Sequence, residues 1–156
     1  MSKSLARVTA ALAAAGVDVT PLEMPGETRT AAQAAAAAGC ALDQIVKSIL
    51  FAGTGSGRLY LFLTAGGNQV DAARASALAG EPLGRADAAQ VRAVTGFAIG
   101  GVSPLGHLTP SPEFFDPRLL QFPCVWAAAG TPRHIFPIAP QDLLRITGAR
   151  LAEFTA

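Results

Sequence analysis

Two apolar runs, residues 45–52 and 59–63, stand on either side of Gly53-Thr54-Gly55-Ser56-Gly57. Runs this short and this rich in Ile, Leu, Val and Phe fit strands buried on both faces, and the glycines between them supply a flexible turn. A hairpin is therefore predicted. Inside its first strand sits one cation, Lys47, in Ile45-Val46-Lys47-Ser48-Ile49-Leu50-Phe51. Removing an ammonium group from water costs free energy that a purely structural role rarely justifies.

A second feature complements the lysine. Gly100-Gly101-Val102-Ser103-Pro104-Leu105-Gly106-His107 has three glycines and a proline within seven positions. Glycine lets a ligand approach the main chain closely, proline stiffens the turn, and a run of bare amides can hold an anion or a polarised carbonyl. Taken singly, Lys47 also fits a lysine snorkelling from a strand end, and the loop fits a tight turn needing positive φ. Taken together, the two are expected to meet across one pocket.

The rest of the chain supplies a mixed frame. A helix is expected over residues 4–15, closed by Gly16, then an edge strand near 17–22. Thr30 and Gln33 have capping-box spacing ahead of the alanine run to Ala38, with Gly39 as the C-cap. Short helices are expected at about 71–78 and 87–94, and a short strand at 97–99 leading into the glycine loop. Residues 108–123, with Pro110, Pro112, Pro117 and Pro123, read as an irregular connection with a brief strand at Leu119-Leu120. A strand pair over 124–129 and 135–138 precedes a last helix at 141–147. Because hairpins dominate, the expected class is α+β: a mixed, mainly antiparallel, partly closed β-sheet with flanking helices, in a single domain over residues 1–156.

Composition excludes several function classes. The formal net charge is +1 over 156 residues, and the arginines are scattered, so no broad basic face awaits nucleic acid. The two cysteines, Cys40 and Cys124, have no ligand spacing, which argues against structural zinc or a disulfide scaffold and for a reducing cytoplasm. Arg7 interrupts the apolar start, so a helix is favoured there over a signal peptide. No segment approaches the roughly 20 apolar residues of a membrane span. No metal or organic cofactor is expected.

Three stretches in order, Gln44-Ile45-Val46-Lys47-Ser48, Gly100 to Gly106, and Pro137-Ile138-Ala139-Pro140-Gln141-Asp142-Leu143-Leu144, resemble the YbaK/ProX family of free-standing aminoacyl-tRNA deacylases. That family is similar to the insertion editing domain of bacterial prolyl-tRNA synthetase. The resemblance implies hydrolysis of the ester joining a wrong amino acid to the terminal ribose of a tRNA, most often tRNA for proline. It assigns Lys47 to the family's hydrolytic lysine and Gly100, Gly101, Val102, Ser103 and Pro104 to the Gly-x-x-x-Pro loop that holds the aminoacyl carbonyl. It also puts Thr28, Arg29 and Thr30 on the pocket wall, with helix capping as their alternative role. The implied partners are mischarged tRNA and a prolyl-tRNA synthetase. Ala127-Ala128-Ala129-Gly130-Thr131-Pro132-Arg133-His134 departs from the turn of the cysteine-specific subgroup and leans towards members that remove alanine or another small residue.

Roles beyond these stay open at the level of sequence. The amides of Gly101 and Val102 are expected to polarise the carbonyl, with Lys47 anchoring ester or phosphate oxygens. Ser103 has no evident histidine and carboxylate partners for a nucleophile and better suits a turn hydroxyl. His107 and His134 are each a substrate contact or a turn residue, and Asp43 either orients Lys47 or caps a turn. The competing functions are a non-catalytic binder of aminoacyl or nucleotide ends associated with a synthetase, and a Schiff-base enzyme built on Lys47.

Overall fold

The computed structural model describes residues 2–156, which form five helices around one mixed sheet of eight strands. Local chemistry sets the helix ends. Helix α1 (Lys3–Ala14) starts where the Ser2 side chain accepts from the Leu5 N–H, and it buries Val8 and Leu12. Helix α2 (Ala31–Ala38) has the full capping box of Thr30 and Gln33 and stops at Gly39. Asp71 and Asp87 cap α3 (Ala72–Ala79) and α4 (Ala88–Thr95), and Pro140 begins α5 (Pro140–Thr147).

The strands are β1 (Leu22–Glu23), β2 (Ile45–Gly53), β3 (Leu59–Ala65), β4 (Leu83–Arg85), β5 (Glu113–Phe115), β6 (Val125–Ala128), β7 (His134–Ile138) and β8 (Arg150–Leu151). Their order is β1-β7-β6-β2-β3-β5-β8, with β4 added to β2. Four pairings are antiparallel. Three are parallel. The sheet does not close on itself: β1 and β8 remain its ends, where a partly closed sheet was expected. Every residue of β3 is buried, because β2 and β5 cover its two edges and separate apolar clusters cover its faces.

Several short elements depart from expectation. Residues 97–99 form no strand; Phe97 is fully buried under Arg7 and His107, and its neighbours turn into the glycine loop. Leu119-Leu120 lies in a 3-10 turn (Pro117–Gln121), capped by Asp116, instead of a strand. Strands β4, β5 and β8 are two or three residues long and owe their conformation to pairing with β2, β3 and β5.

The pairing of β2 opens the space that matters. One edge is covered by β3 along its length. The other edge meets β6 only at Ile45 and Val46 and β4 only from Phe51 to Gly53. Residues 47–50 between them have no strand on that side.

Glu113, the first residue of β5, lies beside a small pocket of about 180 Å³ with His107 and Thr147. Its Oε1 is buried without a hydrogen-bond partner, and burial pushes its carboxyl pKa up to about 8. The folded state thus holds this proton more tightly than the unfolded chain, so Glu113 costs nothing below about pH 4.5 and costs progressively more until about pH 8. Glu113→Gln should stabilise the protein on the order of 2–4 kcal/mol near pH 8, with the gain vanishing near pH 4. Urea unfolding across this range measures it, and a pH-independent difference would show that the carboxyl is not held protonated.

Candidate functional site

The uncovered stretch of β2 borders a cavity of about 720 Å³. Lys47 lines it, as do Gly100 and Val102 from the glycine loop and Thr28 and Thr30 from the segment before α2. Gly101, Ser103, Pro104, His107 and His134 do not.

Lys47 stands opposite Thr64 of β3, and its Nζ donates to the Asn68 carbonyl at 2.5 Å. That carbonyl belongs to a turn held by two carboxylates. Asp116, almost fully buried, accepts from the Ala65 N–H at 3.1 Å and from Asn68 Nδ2 at 2.9 Å. Asp43 accepts from the Gly67 N–H at 2.8 Å and from Arg118 Nε at 3.0 Å. Asp43 therefore fixes the turn and makes no hydrogen bond to the lysine. Burial pushes the Lys47 amine below the usual lysine range, while the charges of Asp43 and Asp116 draw it back up.

The cavity's other side-chain charges are also positive. Arg29 lines it beside Gly100 and pairs with Glu27 at 3.4 Å, and Arg85 enters from β4. Among the described residues Arg85 has no hydrogen bond or ion pair, and no Asp or Glu lines the cavity. Apolar walls come from Ala31 and Ala34 of α2, Ala127 and Ala128 of β6, and Val91.

The glycine loop departs in detail from the sequence expectation. The Gly101 N–H donates to the Ala98 carbonyl at 3.0 Å, closing a turn, so this amide is not free for a substrate. The Val102 N–H has no acceptor among the described residues and remains available. Gly100 has φ +96°, the left-handed region that favours glycine, and a Cβ on Gly101 would lie 2.9 Å from the Thr131 carbonyl carbon. The loop is pinned from behind by Arg7, whose Nη2 donates to the Gly96 carbonyl at 2.9 Å and whose Nε donates to the Gly106 carbonyl at 3.2 Å.

The hydroxyl and imidazole groups are already engaged. Ser103 is fully buried, and its Oγ accepts from the Leu105 N–H at 3.3 Å. His107 Nε2 lies 2.6 Å from the Ser103 carbonyl, behind the loop, where burial lowers its pKa. His134 Nδ1 is 2.6 Å from Thr131 Oγ1. Thr28 Oγ1 donates to the Pro132 carbonyl at 3.1 Å, and Thr30 caps α2. These threonines border the cavity while holding its wall in place. Sequence reasoning missed Arg85, Asn68 and Asp116; an isolated arginine, an asparagine carbonyl and a distant aspartate carry no motif.

Among the described residues, no group of three or more His, Cys, Asp or Glu is placed to hold a metal ion, and no helix is long and apolar enough to cross a membrane. Residues 25–146 match the aminoacyl-tRNA editing domain. The chain is similar, at 47% identity and a TM-score of 0.92, to the crystal structure of a proposed trans-editing enzyme for prolyl tRNA synthetase, covering 100% of this chain and 99% of that one. It is 29% identical to the hypothetical protein APE2540, with a TM-score of 0.88 over 96% of this chain and 99% of the other. The uncharacterized protein YwhH of Bacillus subtilis (strain 168) is 32% identical over 127 residues, 81% of this chain and 78% of YwhH.

Gly101→Ala should displace the loop from Thr131, since the new methyl meets main chain that cannot swing aside. A loss of about 1–3 kcal/mol in urea unfolding is expected, and a variant as stable as the parent would show that the loop has slack.

Proposed function

We propose that this chain, which belongs to the aminoacyl-tRNA editing domain family, is a hydrolase that acts in trans on mischarged tRNA. The reading extends to tRNA for proline carrying alanine or another small residue, and to work in the cytoplasm alongside a prolyl-tRNA synthetase. One observation carries it: Lys47 and the main chain of Gly100 and Val102 border the same cavity, whose side-chain charges are all positive.

The chemistry asks little of side chains. Water attacks the ester carbonyl carbon, the carbonyl oxygen gains negative charge, the bond to the ribose oxygen breaks, and that oxygen takes up a proton. The products are free amino acid and uncharged tRNA. Of the two amides that the sequence suggested, Gly101 and Val102, the Gly101 N–H is taken by Ala98 and the Val102 N–H is free to meet the developing oxyanion. One Lys47 N–H is spent on Asn68, which fixes the ammonium and leaves its other N–H donors for ester or phosphate oxygens. No carboxylate or imidazole lines the cavity to act as general base, so the ribose hydroxyl of the substrate orients the water. Arg29 and Arg85 meet the phosphates of the terminal nucleotides.

The size of the cavity suits an aminoacyl-adenosine end and leaves choice among small side chains to a methyl or two, about 1–3 kcal/mol. With a net charge of +1, affinity for tRNA alone is weak and salt-sensitive.

The deciding experiment follows hydrolysis of tRNA for proline charged with alanine, serine or cysteine. Alanine should be removed fastest, and Lys47→Ala should slow the reaction about 100-fold or more. Arg29→Ala and Arg85→Ala should raise KM more than they lower kcat and reduce the salt slope of binding by about one each. Wild-type rates in Lys47→Ala would remove the lysine from the mechanism. Binding of charged tRNA without turnover would favour the non-catalytic binder, and borohydride trapping of substrate on Lys47 would favour the Schiff base.

A further inference from the structure

Strand β2 presents a short, unpaired main-chain edge to the cavity, and the direction of its N–H and C=O groups follows from the surrounding bonds. The Gly53 N–H donates towards β3, to the Arg58 carbonyl, whereas the Thr54 N–H donates towards β4, to the Pro82 carbonyl. On β3, the Leu61 N–H and Leu63 carbonyl bond towards β5, so Phe62 and Thr64 bond towards β2, opposite Ile49 and Lys47. Alternation along a strand then turns the N–H and C=O of Ser48 and Leu50 away from β3 and into the gap between β6 and β4. The Phe51–Arg85 pairing brings the Leu50 carbonyl to the Ala86 N–H at the end of β4, whereas no backbone hydrogen bond outside the sheet ladders reaches the N–H and C=O of Ser48 or the Leu50 N–H from any other described segment. Main-chain groups left bare in the middle of a sheet are costly unless water or a ligand meets them.

We propose that this edge of β2 is the subsite for the substrate's free α-amino group, which distinguishes an aminoacyl ester from an N-acylated one. This rests on the hydrolase reading above. With no carboxylate lining the cavity, a carbonyl group is the acceptor for an amine, and the carbonyl of Ser48 supplies it. Lys47, Arg29 and Arg85 disfavour a further cation, so the amine binds best uncharged, when it both donates and accepts. An edge with a carbonyl and N–H groups side by side matches that pattern. A longer peptide laid along the edge is blocked at both ends, by β6 at Val46 and by β4 at Phe51.

The test uses the full chain labelled with ¹⁵N and three non-hydrolysable, amide-linked analogues of the tRNA-terminal adenosine: alanyl, N-acetylalanyl and propionyl. In the free protein, the Ser48 and Leu50 amides should exchange with solvent faster than those of Lys47 and Ile49, which bond to β3. The alanyl analogue should protect Ser48 and Leu50, and the other two should bind about tenfold more weakly or worse without protecting them. Equal affinity for all three, or no response of the two amides to saturating alanyl analogue, overturns the proposal. Tighter binding of the N-acetylalanyl analogue with protection overturns it in favour of peptide recognition. If charged tRNA is hydrolysed while the two amides stay silent, this proposal alone fails. If they respond but no charged tRNA is hydrolysed, the subsite stands and the hydrolase reading fails.

Discussion

The bond from Lys47 Nζ to the Asn68 carbonyl is the interaction on which the site depends. A lysine on a half-buried strand would ordinarily extend its flexible stem towards bulk water. Here the ammonium is held by a carbonyl whose own position is fixed through Asp116 and Asp43. Neither carboxylate hydrogen-bonds the lysine, yet both lie close enough to oppose the loss of its charge on burial. The result is a cation with a fixed direction, kept charged by acids that stay out of the cavity.

The opposite wall is held by different means to the same end. Arg7 bridges the carbonyls of Gly96 and Gly106 and lies over the Phe97 ring at 4.8 Å, so α1 grips the glycine loop at both ends. His107 adds a contact to the Ser103 carbonyl from the same side. All of these bonds lie behind the loop, which leaves its cavity face with main chain and few side chains. A loop fastened from the rear presents its free amide without reorganising, the condition under which a hydrogen bond to developing charge has most effect.

Much of this was legible in the sequence, and the reasons for the failures are physical. The β2–β3 hairpin, the capping box at Thr30 and Gln33 and the pairing of Lys47 with a glycine loop are written in local pattern, and the structure has all three at those positions. Strands β4, β5 and β8 escape notice because two or three residues carry no periodicity and become strands only through distant partners. Phe97-Ala98-Ile99 looks like a strand by composition, but burying the Phe97 ring between Arg7 and His107 sets its conformation instead. Which loop amide is free could not be read either: Gly101 and Val102 look equivalent until the Ala98 carbonyl takes one of them. Histidines invite functional readings in any sequence, and here both are spent on holding turns.

The placement of charge gives a nearly neutral protein one cavity whose lining charges are all positive. No carboxylate lines the cavity; Arg29 pairs with Glu27 and Lys47 lies near Asp43 and Asp116, but Arg85 has no ion pair among the described residues, whereas Arg118 and Arg145 are paired with Asp43 and Asp142. At physiological salt the field of exposed charges dies away within about 8 Å, so the unopposed ones act only on a phosphate already at the cavity mouth. Long-range attraction to any polyanion is therefore small. On the proposed function, discrimination among ligands then falls to the walls and main chain of one cavity.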